Sequence, residues 1–115
     1  MKENLDVSII IPVFNEEENI NLLYSEIKSA VDKTGYDYEI VFVDDGSTDR
    51  TAQLLSALQK KDKRVVVINF RRNFGQTAAM SAGFDYAKGN VIVTMDGDMQ
   101  NDPNDIARLL EKSKE

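Results

Sequence analysis

The chain has 115 residues, of which 42% are hydrophobic and 30% charged, and it contains no cysteine and no histidine. Without these residue types, disulfides, thiolate or ordinary zinc sites and catalysis by a Ser–His or Cys–His pair are excluded. The 14 basic and 20 acidic side chains give a net charge of −6, which argues against a nucleic-acid partner. The length suits a single domain with a core of its own.

Four short runs rich in valine and isoleucine predict β-strands at residues 7–13, 39–44, 65–70 and 90–95. The runs are continuous rather than alternating, which is typical of parallel strands that are covered on both faces. The longest apolar run, residues 7–14, is too short to span a bilayer, and the N-terminus lacks the apolar segment of a signal peptide. We therefore expect the chain to be cytoplasmic and to have no transmembrane segment.

Amphipathic stretches between these strands predict helices. The first helix carries its apolar residues at spacings of three and four, at Ile20, Leu23, Ile27 and Val31. Asn15 is predicted to cap its start, with three glutamates at residues 16–18 in the first turn, and Thr34-Gly35 to end it.

Three further helices are predicted in the rest of the chain. The second opens at residues 47–49, the third covers Gln76 to Ala87 with Gly89 as its stop, and the fourth starts at Pro103. Alternation of strands and helices implies right-handed crossovers and an α/β fold with a doubly wound, mostly parallel sheet. We expect strand order 3-2-1-4, with a ligand crevice between the first and fourth strands.

Two carboxylates and an amide follow the fourth strand, at Asp96, Asp98 and Gln100. Residues two apart on an extended backbone point to the same side, so these oxygens can converge on a hard cation such as Mg²⁺. The alternative is an acidic turn, because Asp-Gly is a common turn signal. Polar clusters also follow the other three strands, and this coincidence favours a ligand site at the carboxyl edge of the sheet.

Three motifs resemble the signatures of family 2 glycosyltransferases of the GT-A fold. They are Pro12-Val13-Phe14-Asn15-Glu16, Asp44-Asp45-Gly46-Ser47-Thr48-Asp49 and Asp96-Gly97-Asp98. Residues 72–76 and 96–103 are similar to the branch that transfers sugars to polyprenyl phosphates, which includes dolichyl-phosphate mannose synthases. The resemblance covers nearly the whole chain.

The resemblance implies roles for individual residues. The residues implied to bind the sugar donor are Pro12, Phe14, Glu16, Asp45, Arg72 and Asp96, and those implied to hold Mg²⁺ or Mn²⁺ are Asp96, Asp98 and Gln100. Pro12 and Phe14 would line the nucleobase pocket, and Asp45 would accept a hydrogen bond from a base N–H. Two neighbouring acidic residues are predicted to have structural roles and no ligand contact: Asp44 in a turn and Asp49 as a cap of the second helix. No catalytic residue is implied.

The resemblance further implies inverting transfer of a hexose from a UDP- or GDP-linked sugar to an acceptor, which is expected to be a lipid phosphate. The chain resembles one nucleotide-sugar-binding domain over residues 1–115, and the family's acceptor region and membrane helices would follow Glu115. We expect such a piece to bind donor but to transfer sugar slowly or not at all, and the full protein to act at the cytoplasmic face of a membrane. The alternative is a non-catalytic, Mg²⁺-binding signalling module of flavodoxin-like topology.

Overall fold

The computed structural model describes residues 5–95. Over that range, strands and helices alternate strictly along the chain. The elements are β1 (Leu5–Val13), α1 (Ile20–Asp32), β2 (Tyr38–Asp44), α2 (Thr51–Lys61), β3 (Val65–Asn69), α3 (Gln76–Tyr86) and β4 (Gly89–Thr94). The predicted fourth helix lies outside the described residues.

The four strands form one parallel sheet in the order β3-β2-β1-β4, which confirms the predicted order 3-2-1-4. Ile9 in the central strand β1 lies opposite Ile40 on one side and Val93 on the other. The chain runs outward from β1 through β2 to β3 and then crosses back to β4 on the other side of β1. In such sheets the ligand crevice opens at this reversal, at the carboxyl ends of β1 and β4.

Helices lie on both faces of the sheet, as the doubly wound prediction requires. Because alternate residues of a strand point to opposite faces, Ile9 and Ile11 of β1 join the larger core with α1 and α2, whereas Ile10 packs with Ala79 of α3. All of these side chains are buried. Burying one large aliphatic side chain contributes about 1.5–3 kcal/mol, so β1 anchors both layers.

The two outer strands are less covered than the sequence predicts. Within residues 5–95, Val66 and Ile68 of β3 are only partly buried, and Ile92 of β4 is 40% exposed. The reason is that α3 packs against β1 and β2. The prediction of strands covered on both faces is confirmed for β1 and β2. In β3 the cover is partial, with Val67 packed against one core cluster and Val66 and Ile68 against the other, and for β4 it stays a prediction.

The predicted start of the first helix is also wrong. Helix α1 begins at Ile20, with Asn19 as its N-cap and no acidic residue in its first turn. Asn15 instead adopts a left-handed backbone conformation with φ of 53°, and the three glutamates lie in the connection before the helix. The predicted end is confirmed, since α1 ends at Asp32 and Gly35 follows with φ of 76°.

Gly89 is the first residue of β4 rather than the stop of α3. The helix ends at Tyr86 because Ala87 turns to an extended conformation, with φ of −56° and ψ of 136°. A Cβ on Gly89 would lie 2.5 Å from the backbone nitrogen of Ser8. Glycine is therefore required here by the close approach of β4 to β1.

A network of tyrosines and charged residues lies beside α1 and the start of β3. The hydroxyl of Tyr24 donates a hydrogen bond of 2.6 Å to Asp62, and Arg64 lies 3.4 Å from the same carboxylate. Burial and the hydrogen bond to Asp62 raise the pKa of Tyr24 to about 12. Burial alone would raise the pKa of Asp62, but its bonds with Tyr24 and Arg64 outweigh burial and hold that pKa below its usual range.

We expect the stabilisation from Tyr24 to be lost at high pH. The folded pKa of Tyr24 lies above the unfolded value of about 10, so its contribution is complete below pH 10 and disappears as pH rises toward 12. In urea unfolding between pH 8 and 12, the stability difference between wild type and Tyr24→Phe should therefore shrink. In an Asp62→Asn background the part of this pH dependence that comes from the hydrogen bond should be gone, and the larger part that comes from burial should remain. A difference that stays constant with pH would contradict the assignment.

Candidate functional site

Three connections lie at the carboxyl edge of the sheet, after β1, β2 and β3 (residues 14–19, 45–50 and 70–75). Five of the predicted site residues lie at this edge: Pro12, Phe14, Glu16, Asp45 and Arg72. The other three, Asp96, Asp98 and Gln100, lie outside the described residues. The structure therefore brings the described donor-site candidates to one edge, as their positions after parallel strands predict.

Asp45 is the most deeply buried of these candidates, with 4% of its surface exposed. Its carboxylate accepts hydrogen bonds from the backbone N–H groups of Phe74 at 2.7 Å and Gly75 at 3.0 Å, and from the side-chain amide of Asn73 at 3.0 Å. Charge-assisted bonds of this kind are stronger than neutral ones. Asp45 thus fixes the connection after β3 to the end of β2. Its predicted contact with a base N–H stays a prediction, and a carboxylate with about four acceptor positions has room for one further donor.

Gly46 brings the same two connections into direct backbone contact. Its φ is 75°, and a Cβ at this position would lie 2.2 Å from the carbonyl carbon of Arg72 and 2.4 Å from the nitrogen of Asn73. Asp44 shapes the turn beneath it, because its carboxylate accepts the N–H of Ser47 at 2.9 Å. Asp44 is therefore a turn residue, as predicted.

Arg72 is exposed at the rim and stacks on an aromatic ring. Its guanidinium carbon lies 4.4 Å from the ring centre of Phe74, and Phe74 in turn meets Phe70 edge to face at 5.6 Å. Arg71 is also exposed. The guanidinium of Arg72 is thus held at the edge where the resemblance implies a contact with the sugar donor.

Asn15 joins the connection after β1 to the one after β2, a role that the sequence analysis missed. Its side-chain oxygen accepts the N–H groups of Thr48 at 2.8 Å and Asp49 at 3.3 Å, and its own N–H donates to Ser47 Oγ at 2.9 Å. The available signal was the residue type, because asparagine tolerates the left-handed conformation and bonds readily to nearby backbone.

Glutamates and Asp49 extend this contact between the two connections. The N–H of Glu16 donates to Thr51 Oγ1 at 2.9 Å, and the carboxylate of Glu17 accepts the N–H of Arg50 at 2.9 Å. Asp49 accepts the N–H of Thr51 at 2.9 Å, but the N-cap of α2 is Arg50 and the helix begins at Thr51. The predicted start at residues 47–49 and the predicted cap at Asp49 are therefore wrong, because those residues form the connection that bonds to Asn15. Burial would raise the pKa of Asp49, but its hydrogen bonds outweigh burial and lower that pKa.

Pro12 and Phe14 lie where β1 ends and the connection after it begins, and that connection is hydrogen-bonded to the connection after β2. Pro12 is half-buried and pairs with Val43 in the sheet, while Phe14 follows the end of β1 and is 43% exposed. Pro12 and Phe14 are the chain neighbours of Val13, whose carbonyl accepts the backbone N–H of Asp45 at 2.9 Å. Their contact with a nucleobase stays a prediction.

The last described residue before the predicted metal motif lies against β1. Met95, the last described residue, is 5% exposed, and its N–H donates to the carbonyl of Ile10 at 3.0 Å. Within residues 5–95, no three Asp, Glu, His or Cys side chains are grouped so that they could hold a metal ion. Across the same residues, no helix has the length and apolar character needed to cross a bilayer.

Comparison with known proteins adds sequence relatives. YkcC, an uncharacterized glycosyltransferase of Bacillus subtilis (strain 168), is 44% identical over 115 residues, which are 100% of this chain and 36% of that protein. The undecaprenyl-phosphate 4-deoxy-4-formamido-L-arabinose transferase of Edwardsiella ictaluri (strain 93-146) is 46% identical over 106 residues, which are 91% of this chain and 33% of that protein. The chain thus spans about a third of the length of these curated relatives.

Solved structures share the fold. The structure of S. aureus TarS 1–349 in complex with UDP-GlcNAc superimposes with a TM-score of 0.72 at 27% identity, over 94% of this chain and 32% of TarS. Glucosyl-3-phosphoglycerate synthase from Mycobacterium tuberculosis, solved with Mn²⁺, UDP and glucosyl-3-phosphoglycerate, gives a TM-score of 0.71 at 21% identity, over 95% and 39% of the two chains. These neighbours confirm the GT-A fold.

The family assignment rests on nearly the whole sequence. Residues 8–115 match the family model described as glycosyl transferase family 2. This match covers the three motifs that carried the resemblance, and it argues against the signalling-module alternative. The strand order and the polar connections at the carboxyl edge agree with it. The chain belongs to glycosyl transferase family 2.

Proposed function

We propose that this chain is the donor-binding part of a glycosyltransferase that uses a UDP- or GDP-linked sugar and a polyprenyl phosphate acceptor. The main support for the proposal lies at the carboxyl edge of the sheet. There the buried carboxylate of Asp45 accepts hydrogen bonds from the connection after β3, which contains Arg72. The donor class is supported by TarS, which is 27% identical and was solved with UDP-GlcNAc. The acceptor class is supported by the 46% identical relative named for undecaprenyl phosphate.

The described residues supply the nucleotide end of this site. The exposed ring of Phe14 offers a stacking surface for a base beside Pro12, and Asp45 offers the remaining acceptor position for a base N–H. Such an acceptor discriminates strongly among bases, because a base without the matching donor leaves it unpaired. Arg72 provides the positive charge that a phosphate needs at this edge.

The diphosphate needs more charge than Arg72 can supply, since the chain is acidic overall with a net charge of −6. Asp96, Asp98 and Gln100 offer oxygen ligands, which suit Mg²⁺ or Mn²⁺, and these cations leave positions for phosphate oxygens. A bound cation would supply Lewis-acid stabilisation of the departing nucleoside diphosphate. A lipid phosphate is already ionised at neutral pH, so its oxygen can attack without a general base, which is consistent with a chain that lacks histidine. With a lipid acceptor, the full protein would act at the cytoplasmic face of a membrane.

Calorimetric titration of the 115-residue chain with UDP and with GDP, each with and without Mn²⁺, tests the donor site. We expect one nucleotide to bind, and to bind more tightly with Mn²⁺. Asp98→Asn should weaken the Mn²⁺-dependent binding at least tenfold, or about 1.4 kcal/mol, because one metal ligand loses its charge. Asp37→Asn is the control, since Asp37 is an exposed residue just before β2, at the opposite edge of the sheet.

Equal losses in Asp98→Asn and Asp37→Asn would remove Asp98 from the metal site. Failure of both nucleotides to bind, with Mn²⁺ present, would contradict the proposed function itself. The acceptor is tested separately on the full-length protein. The assay measures transfer of labelled sugar to undecaprenyl phosphate in detergent, and the donor carries the nucleotide that the calorimetry identifies. Transfer to water alone would contradict the lipid acceptor.

A further inference from the structure

The side chain of Phe74 is exposed to solvent, although its backbone and its ring are both held by contacts. Its surface is 53% exposed, the same fraction as Leu22 and above the other exposed large hydrophobic residues in the described structure. Yet its N–H donates to the buried Asp45 carboxylate at 2.7 Å, and its ring packs edge to face on Phe70 at 5.6 Å and 89°. Core packing does not account for an aromatic ring held outward at the rim of the site.

The face of this ring carries the guanidinium of Arg72, at 4.4 Å from the ring centre. A guanidinium within about 6 Å of an aromatic face is attracted by the ring's quadrupole. Arginine has a long side chain with much rotamer freedom, and a surface that holds it in place reduces the freedom it loses when a ligand arrives. The buried carboxylate of Asp45 therefore fixes the backbone of Phe74, and the ring of Phe74 holds the cation.

We propose that Phe74 is a positioning residue for Arg72, one that holds the guanidinium ready to meet the anionic part of the nucleotide. This inference rests on the proposed function, since it takes the ligand of Arg72 to be the sugar donor. The ring acts through Arg72 and does not itself contact the nucleotide. Stacking of a base directly on Phe74 is the competing arrangement, and the two differ in whether the effect of the ring requires Arg72.

A double-mutant cycle on binding of UDP or GDP with Mn²⁺ separates these arrangements. Phe74→Leu should weaken binding about 2–5-fold, which is the size of an exposed cation–aromatic contact, and Phe74→Tyr should keep it near wild type because the ring remains. In an Arg72→Gln background, Phe74→Leu should have no further effect. Phe84→Leu, which alters another exposed ring (47% exposed), is the matched control and should not change binding.

The same loss from Phe74→Leu with and without Arg72 would overturn the inference in favour of direct stacking, as would failure of Phe74→Tyr to restore binding. A measurement without ligand keeps this result separate from the proposed function. The Nε–H group of Arg72 should show restricted motion by NMR relaxation in wild type and Phe74→Tyr, and free motion in Phe74→Leu. Free motion in wild type would overturn the positioning role, whereas absence of nucleotide binding alone would contradict the donor site.

Discussion

Gly46→Ala should lower the free energy of unfolding by roughly 2–5 kcal/mol. A residue with a side chain pays about 1–2 kcal/mol for the left-handed conformation that Gly46 adopts, with φ of 75°. The added Cβ would also lie 2.2 Å from the backbone of Arg72, and a backbone that must shift adds about 1–3 kcal/mol. Urea unfolding followed by circular dichroism measures the change.

Gly35→Ala is the matched control for this substitution. Gly35 has nearly the same φ, 76°, but a Cβ there would meet nothing within 4 Å. We therefore expect only the conformational part of the cost, about 1–2 kcal/mol. If both substitutions cost the same, the close approach between the connections after β2 and β3 is not what makes glycine necessary at position 46.

Asp45→Asn should have the second large effect, a loss of about 2–4 kcal/mol of stability. A hydrogen bond to a charged group contributes about 1.5–3 kcal/mol, and the three bonds to Asp45 are partly buried, so only part of the cost of an unpaired N–H is added. An amide presents one acceptor and one donor where the three donors around Asp45 need an acceptor on both sides. Either orientation of the new side chain sets an NH₂ group against an N–H.

The position of this effect can be checked as well as its size. The amide protons of Phe74 and Gly75 should lose protection from hydrogen exchange in Asp45→Asn, because their acceptor is weakened. Asp85→Asn, at an exposed position of α3, is the control and should leave both stability and those amides unchanged. A protein that keeps wild-type stability and protection in Asp45→Asn would show that this carboxylate is held for the ligand and not for the fold.

Much of the fold could be predicted because the sequence carries long signals for it. Continuous apolar runs place the strands to within two residues of their observed ends, and strand–helix alternation leads to a parallel sheet. The exposure of Ile92 was not predictable in this way, since hydrophobicity does not tell how far one helix reaches across a sheet. Position after a parallel strand also predicts which residues share the carboxyl edge, such as Asp45 and Arg72.

The interior of the candidate site could not be predicted for a different physical reason. The bonds from Asn15 to the backbone of Thr48 and Asp49 join residues 33 and 34 positions apart. An individual hydrogen bond between a side chain and the backbone of a distant residue has no periodicity and leaves no pattern in the sequence. The same holds for the donors around Asp45, which the resemblance described only as a ligand contact. The contacts of the site residues with a nucleotide, and the metal site, stay predictions.

The central place of β1 in the sheet has a consequence for synthesis of the chain. Its neighbour on one side, β2, follows after one helix, but its neighbour on the other, β4, is far along the chain, since Gly89 lies 81 positions after Ser8. At about 5–20 residues per second, ribosomes need roughly 4–16 s to add that stretch. During this time one edge of an apolar strand is unpaired, and such edges recruit other chains. Nascent-chain aggregation and chaperone demand should therefore fall sharply once β4 has left the ribosome.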